Sequence, residues 1–136
     1  MTASHRFEES DELRLVVRAE SFPAAAAEAG RALAELAGPP EHPEAPRNGW
    51  TELEVEAGDR PALLVAWINE LIFRAESEGW LGIDFEMLET GSNRLRARVR
   101  CASLPSRSFP VKAATLDRAQ VIDHPDGVTA EVTLDV

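Results

Sequence analysis

The stretch Leu63-Leu64-Val65-Ala66-Trp67-Ile68-Asn69-Glu70-Leu71-Ile72-Phe73 is the densest apolar run in the chain and constrains its fold more than any other segment. Stepping about 100° per residue puts Leu64, Leu71, Ala75, Ile68, Ile72 and Val65 on one arc, which Trp67 and Leu63 extend. The spacing therefore predicts a helix with a wide buried face. At about 1.5–3 kcal/mol per fully buried large side chain, it is the largest local source of folding free energy. Asp59 stands where its carboxylate can accept from the free amides of the first turn. Pro61 falls in that turn, where a missing N–H costs little, and Gly79 supplies the stop. Asn69 and Glu70 interrupt the run, which is also too short to span a bilayer.

The remaining segments follow from their periodicity. Leu13, Leu15 and Val17 alternate with Arg14, Val16 and Arg18, a strand with one mostly buried face. Ser21 offers an N-cap to an alanine-rich segment, 23–37, whose small side chains allow close approach to a sheet or helix; Gly38-Pro39-Pro40 stops it. Residues 41–49 read as a proline-containing loop. Leu53, Val55 and Ala57 alternate with Glu52, Glu54 and Glu56 before the central helix. Strand followed by helix thus occurs twice, although the two segments share little sequence. Ile83, Phe85 and Met87 alternate with Asp84 and Glu86. After the turn signal Thr90-Gly91-Ser92-Asn93, Leu95, Ala97, Val99 and Cys101 alternate with four arginines, which predicts a hairpin. A loop with Pro105 and Pro110 leads to an extended Val111–Val121 segment. Asp126-Gly127 marks a turn, and Val128, Ala130, Val132, Leu134 and Val136 alternate thereafter. The start of the chain reads as polar, with no element assigned to it. Two helices over a mostly antiparallel sheet make an α+β fold in a single domain, residues 1–136.

Composition narrows the function. The 136 residues are 44% hydrophobic, enough for one sizeable core. With 24 acidic against 14 basic residues and a formal charge of −10, general binding to nucleic-acid phosphates is disfavoured. One cysteine, Cys101, precludes an internal disulfide. The first residues lack the apolar core of a secretion signal, so a cytoplasmic location is expected, with no membrane attachment. The basic residues are thirteen arginines and one lysine, Lys112, and the two types differ in geometry and hydration.

Several constellations bear on chemistry. Arg94, Arg96, Arg98 and Arg100 share a strand face near Trp80 and Phe85, as in a single-stranded nucleic-acid groove. The hairpin register, however, sets Asp84 and Glu86 opposite them, and the strand carrying Glu52, Glu54 and Glu56 can lie alongside, so cross-strand pairing is the stronger reading. His5, His42 and His124 have no mutual metal-ligand spacing. No phosphate loop, nucleophile elbow or Ser/His/Asp arrangement is present. Glu70 can pair with Arg74 at i,i+4, and Asn69 reads as a polar-edge residue. Asp135 and the carboxylate of Val136 place two anionic groups within one residue, and Asp11-Glu12 adds two more near the first strand. Oxygen donors of this kind suit a hard cation such as Ca²⁺, although an acidic terminus is more often solvated surface.

Taken together, several segments resemble the archease family, small proteins associated with the RtcB-type RNA ligase that joins tRNA halves. Residues 64–73, Leu-Val-Ala-Trp-Ile-Asn-Glu-Leu-Ile-Phe, are similar to the family's LL-x-x-W-L-N-E-L-L-Y helix. Val111-Lys112-Ala113-Ala114-Thr115 resembles its VKAVT segment, and Leu134-Asp135-Val136 its terminal LDV. The helix opened by Ser21 occupies the position of the family's S-x-x-E-x-F helix. The resemblance implies a two-layer domain that promotes guanylylation and turnover of the ligase and catalyses no reaction itself. It also implies a Ca²⁺ ion held by Asp135, Val136 and an acid of the N-terminal H-T-A-D motif. At that motif this chain has Glu9-Ser10-Asp11-Glu12, so the acid is Asp11 or Glu12. Asp117 stands in place of a family histidine, and Cys101-Ala102 in place of a G-E dipeptide.

The first expectation is thus a non-enzymatic accessory factor for an RtcB-type ligase. The alternative is a diverged interaction or chaperone module with neither metal nor ligase partner. Lys112, at the lysine of the VKAVT-like segment, is the residue expected to act on the partner. The competing reading of Lys112 is a surface lysine neutralising Asp123 or Asp135.

Overall fold

The computed structural model describes residues 2–38, 49–104 and 109–136. Most of the loop expected at 41–49, His42 and Pro105 lie outside the described residues. The elements run β1 (Ser4–Glu9), β2 (Leu13–Ala19), α1 (Phe22–Ala37), β3 (Trp50–Glu56), α2 (Arg60–Glu78), β4 (Trp80–Thr90), β5 (Arg94–Ser103), β6 (Ala113–His124) and β7 (Gly127–Asp135). The strands form two antiparallel sheets, ordered β1-β2-β7-β6 and β3-β5-β4. The α+β class expected from the sequence is observed, with the sheet divided in two. Among the described residues no helix is long and apolar enough to cross a membrane.

Helix α2 follows its sequence signals closely. The Asp59 carboxylate accepts from the Ala62 amide at 2.9 Å, and Gly79 ends the helix in the left-handed conformation at φ 74°. Leu63, Leu64, Trp67, Ile68, Leu71, Ile72 and Ala75 are buried, whereas Phe73, which lies off the apolar arc, is 56% exposed. The Ser21 hydroxyl caps α1 by accepting from Ala24 at 3.3 Å. The small side chains of α1 permit close approach, as expected. The Trp67 indole N–H reaches the Ala26 carbonyl at 2.8 Å, and the Phe85 ring is wedged between Gly30 and Gly82, where an added Cβ would meet it at 2.3 and 2.7 Å. Trp67 and Phe85 meet edge-on with centroids 6.0 Å apart.

In the second sheet β5 is central, so its arginines face acids on both sides. Glu52, Glu54 and Glu56 pair in register with Arg98, Arg96 and Arg94, while Asp84 and Glu86 oppose Arg100 and Arg98. Ion pairs follow between Arg94 and Glu54, Arg96 and Glu52, Arg98 and Glu86, and Arg100 and Asp84. The face is a lattice of opposite charges, as the alternation predicts.

The polar start, to which the sequence pattern assigns no element, forms strand β1. In β1 only His5 and Phe7 turn inward, and the alternating positions are exposed. An edge strand that buries two residues leaves too little period-2 signal to read. Burial works against a charged His5 imidazole. The hydrogen bonds and charges of Glu28 and Glu35 on α1 together outweigh it, and the His5 pKa is raised. Arg31 shares Glu28 at 3.2 Å. The imidazole therefore pins β1 to α1 through two carboxylates.

Three outcomes follow from this packing. Gly30→Ala gains helix propensity, but overpacking against a confined ring should prevail and destabilise the protein by about 1–3 kcal/mol. Chemical denaturation measures this, and adding Phe85→Leu should recover most of the loss. For His5, a raised folded pKa means stability that is complete below the ordinary imidazole value, about 6.5, and lost as pH rises through the higher folded value. Thermal melts across that range should show wild type losing stability relative to His5→Phe; a constant difference contradicts the pin. Finally, fluorescence anisotropy should detect no micromolar binding of single-stranded RNA. Salt-dependent binding that disappears on replacing Arg96 and Arg98 by Gln contradicts the paired-charge reading.

Candidate functional site

Strand register assembles the acids that lie far apart in sequence. In the β2–β7 pair Leu13 opposes Leu134, and continuing that register sets Glu12 level with Asp135 and Asp11 level with Val136. In the β6–β7 pair Ala113 opposes Asp135, so Lys112 falls level with Val136. The Lys112 amide donates to the Asp135 carbonyl at 2.7 Å, which extends the ladder one residue beyond β6. Antiparallel pairing of three strands thus gathers Asp11, Glu12, Lys112, Asp135 and Val136 at one end of the four-stranded sheet.

An open cavity of about 420 Å³ lies there. The expected ligands Asp11, Glu12, Asp135 and Val136 all line it, joined by Thr115, Asp117, Thr133 and Leu134. Thr115 and Thr133 are cross-strand neighbours in β6 and β7. Lys112 is not part of the lining; it is an exposed residue joined through its backbone to Asp135, which is. Asp123, one counter-charge expected for Lys112, is held instead by Arg60 at 2.6 Å, and hydrogen bonds from that guanidinium pull the Asp123 pKa down. Among the described residues Lys112 forms no ion pair with Asp123 or Asp135.

The donor chemistry of the lining fits a hard cation, because carboxylate, hydroxyl and main-chain oxygens are all available and no sulfur or imidazole intrudes. The arrangement is loose. Among the described residues no three His, Cys, Asp or Glu side chains converge on one point, so an ion would draw on main-chain oxygens as well as carboxylates. One carboxylate is already engaged, since Glu12 accepts from the Arg118 guanidinium.

Other sequence candidates have structural partners. Glu70 receives Arg74 at 2.9 Å, the expected i,i+4 pair. Asn69 is more than a polar-edge residue: its amide donates to the Ala114 carbonyl at 3.1 Å, and its oxygen accepts from the Ala114 N–H at 2.7 Å. That double bond pair mimics a strand neighbour for β6 and fixes the backbone directly before Thr115. The sequence reading missed this clamp, and it missed Thr115, Thr133 and Arg118. The threonines were detectable in principle, because Thr115 and Asp117, like Thr133 and Asp135, are two apart on a strand and share a face.

The Archease protein family (MTH1598/TM1083) matches residues 7–136. No curated protein matches the sequence. Among solved structures, an archease from Thermotoga maritima described as a possible chaperone is similar to this chain, with TM-score 0.68 and 17% identity, covering 98% of this chain and all of its own. Protein 1598 of Methanobacterium thermoautotrophicum, known in solution, is similar with TM-score 0.71 and 19% identity, covering 98% of each chain. At these identities the structural likeness shows the fold, two helices with two antiparallel sheets, and the family match spans nearly every residue of that fold. The chain belongs to the archease protein family.

Proposed function

We propose that this protein is an accessory factor that activates an RtcB-type RNA-splicing ligase in tRNA processing, promoting its guanylylation and repeated turnover without catalysing a reaction of its own. The observation that carries this reading is Lys112, the sole lysine of the chain. It is held by its backbone to Asp135 at the rim of the carboxylate cavity, with its side chain exposed. A compact ammonium offered beside an acidic pocket suits a phosphate or carboxylate on the ligase or its nucleotide. Asp135, the main-chain oxygens of Val136 and either Asp11 or Glu12 would hold a Ca²⁺ ion. That ion would supply positive charge where carboxylates otherwise repel one another.

A second reading is favoured by a specific feature. Glu12 already has a guanidinium partner, and the acids do not converge, which suits a diverged interaction or chaperone module that uses the same surface without metal or ligase.

The two readings separate when wild type, Lys112→Ala and Lys112→Arg are added to the RtcB-type ligase of the same organism and guanylylation and multiple turnover are followed. Lys112 is exposed, so both variants should melt within about 0.5 kcal/mol of wild type. Wild type should stimulate the ligase. The alanine variant should lose about tenfold or more of that stimulation, the value of a charge-assisted hydrogen bond. Failure of wild type to stimulate selects the diverged module, and an alanine variant as active as wild type removes Lys112 from the mechanism.

A further inference from the structure

Arg118 is the sole non-glycine residue among those described with a positive φ, 59°. A side chain bearing a Cβ takes this left-handed conformation at an energetic cost, so something must hold it there. It lies where the pairing of β6 with β7 breaks, between Thr115 and Gln120, and an irregularity of this kind re-aims the side chains it carries. Two sets of contacts secure it. The Arg118 carbonyl accepts from Arg14 at 3.3 Å, and Arg14 is itself bound to Thr133 at 3.0 Å and Glu131 at 2.8 Å. The Arg118 guanidinium donates to Glu12 and stands 4.0 Å from Asp117. Two of the carboxylates lining the cavity thus already face a cation supplied by the chain.

We infer that Arg118 is a tethered counter-cation of the carboxylate cavity, which competes with a divalent ion for Glu12 so that ion binding releases the Arg118 bulge. This rests on the proposal that the cavity takes such an ion. The geometry makes the competition direct: Glu12 lines the cavity and is also the carboxylate that the guanidinium engages. A carboxylate turned toward an ion gives up a geometry that suits the guanidinium, and the positive side chain also repels an approaching dication. The side chains of Arg118 and Glu12 are 59% and 43% exposed, so solvent limits the strength of the pair. Its removal should tighten ion binding by up to about fivefold. When the ion binds, the bulge keeps only its Arg14 contact, and its amides should exchange faster.

The test is calorimetric titration of Ca²⁺ into wild type, Arg118→Gln and Arg118→Gly, with amide hydrogen exchange at 116–119 followed in wild type. The glycine variant removes the guanidinium while favouring the positive φ, so folding is secured. Both variants should bind Ca²⁺ about threefold to fivefold more tightly than wild type, and Ca²⁺ should speed exchange of the wild-type bulge. Equal affinities in all three proteins overturn the competition and leave the ion site standing. Unchanged exchange at 116–119 on saturation overturns the release. Absence of binding in all three overturns the ion site and the competition together.

Discussion

The buried indole of Trp67 is the junction on which the other contacts depend. Its N–H cannot be left unpaired in an apolar interior, where the loss would cost about 1–3 kcal/mol, and it is satisfied by the Ala26 carbonyl of α1. That bond requires the two helices to approach closely, and the approach requires α1 to present alanine and glycine rather than larger residues. Ala25, Ala26, Ala29 and Ala32 are fully buried. Phe85 then fills the space that Gly30 and Gly82 leave open, and it brings β4 into the same contact. The wide apolar arc of α2 and the small residues of α1 are two sides of one packing solution.

Two residues beyond Trp67, Asn69 converts this anchored helix into a ruler for the site. By bonding both main-chain groups of Ala114, it sets the position of β6 along the sheet, and register across β6, β7 and β2 does the rest. Residues just before β2 arrive beside residues just after β7 because antiparallel pairing makes them neighbours. The carboxylate cavity is therefore a consequence of where three strands end, with its contents decided by which residues occupy those ends. The arginines and acids on the other sheet pair with one another, and that face reads as a solvated surface stabilised by many weak pairs.

Much of this was legible from residue order. Helix α2 announced itself through Asp59, Pro61, the apolar arc and Gly79, each with a local physical role. The β4–β5 hairpin and its charge pairing were visible because period-2 alternation assigns faces without any tertiary information. What escaped were features whose causes lie elsewhere in the chain. Strand β1 pairs with β2 and is pinned to α1 where Glu28 and Glu35 receive His5, and nothing near residue 5 reveals that. Arg118 adopts its left-handed backbone because Arg14 and Glu12, more than a hundred residues away in sequence, hold both its carbonyl and its guanidinium. Division of the strands into two sheets likewise depends on long-range pairing that alternation cannot assign.

The surface proposed for contact with the partner is the end of the four-stranded sheet, around Lys112 and the carboxylate cavity. Hydrogen exchange of the protein with and without the RtcB-type ligase of the same organism tests it most directly. The account predicts slower exchange at 10–13, 111–117 and 133–136 on adding the ligase, with β3, β4 and β5 unchanged. Protection confined to the arginine-bearing sheet, with the cavity segments unaffected, would contradict it.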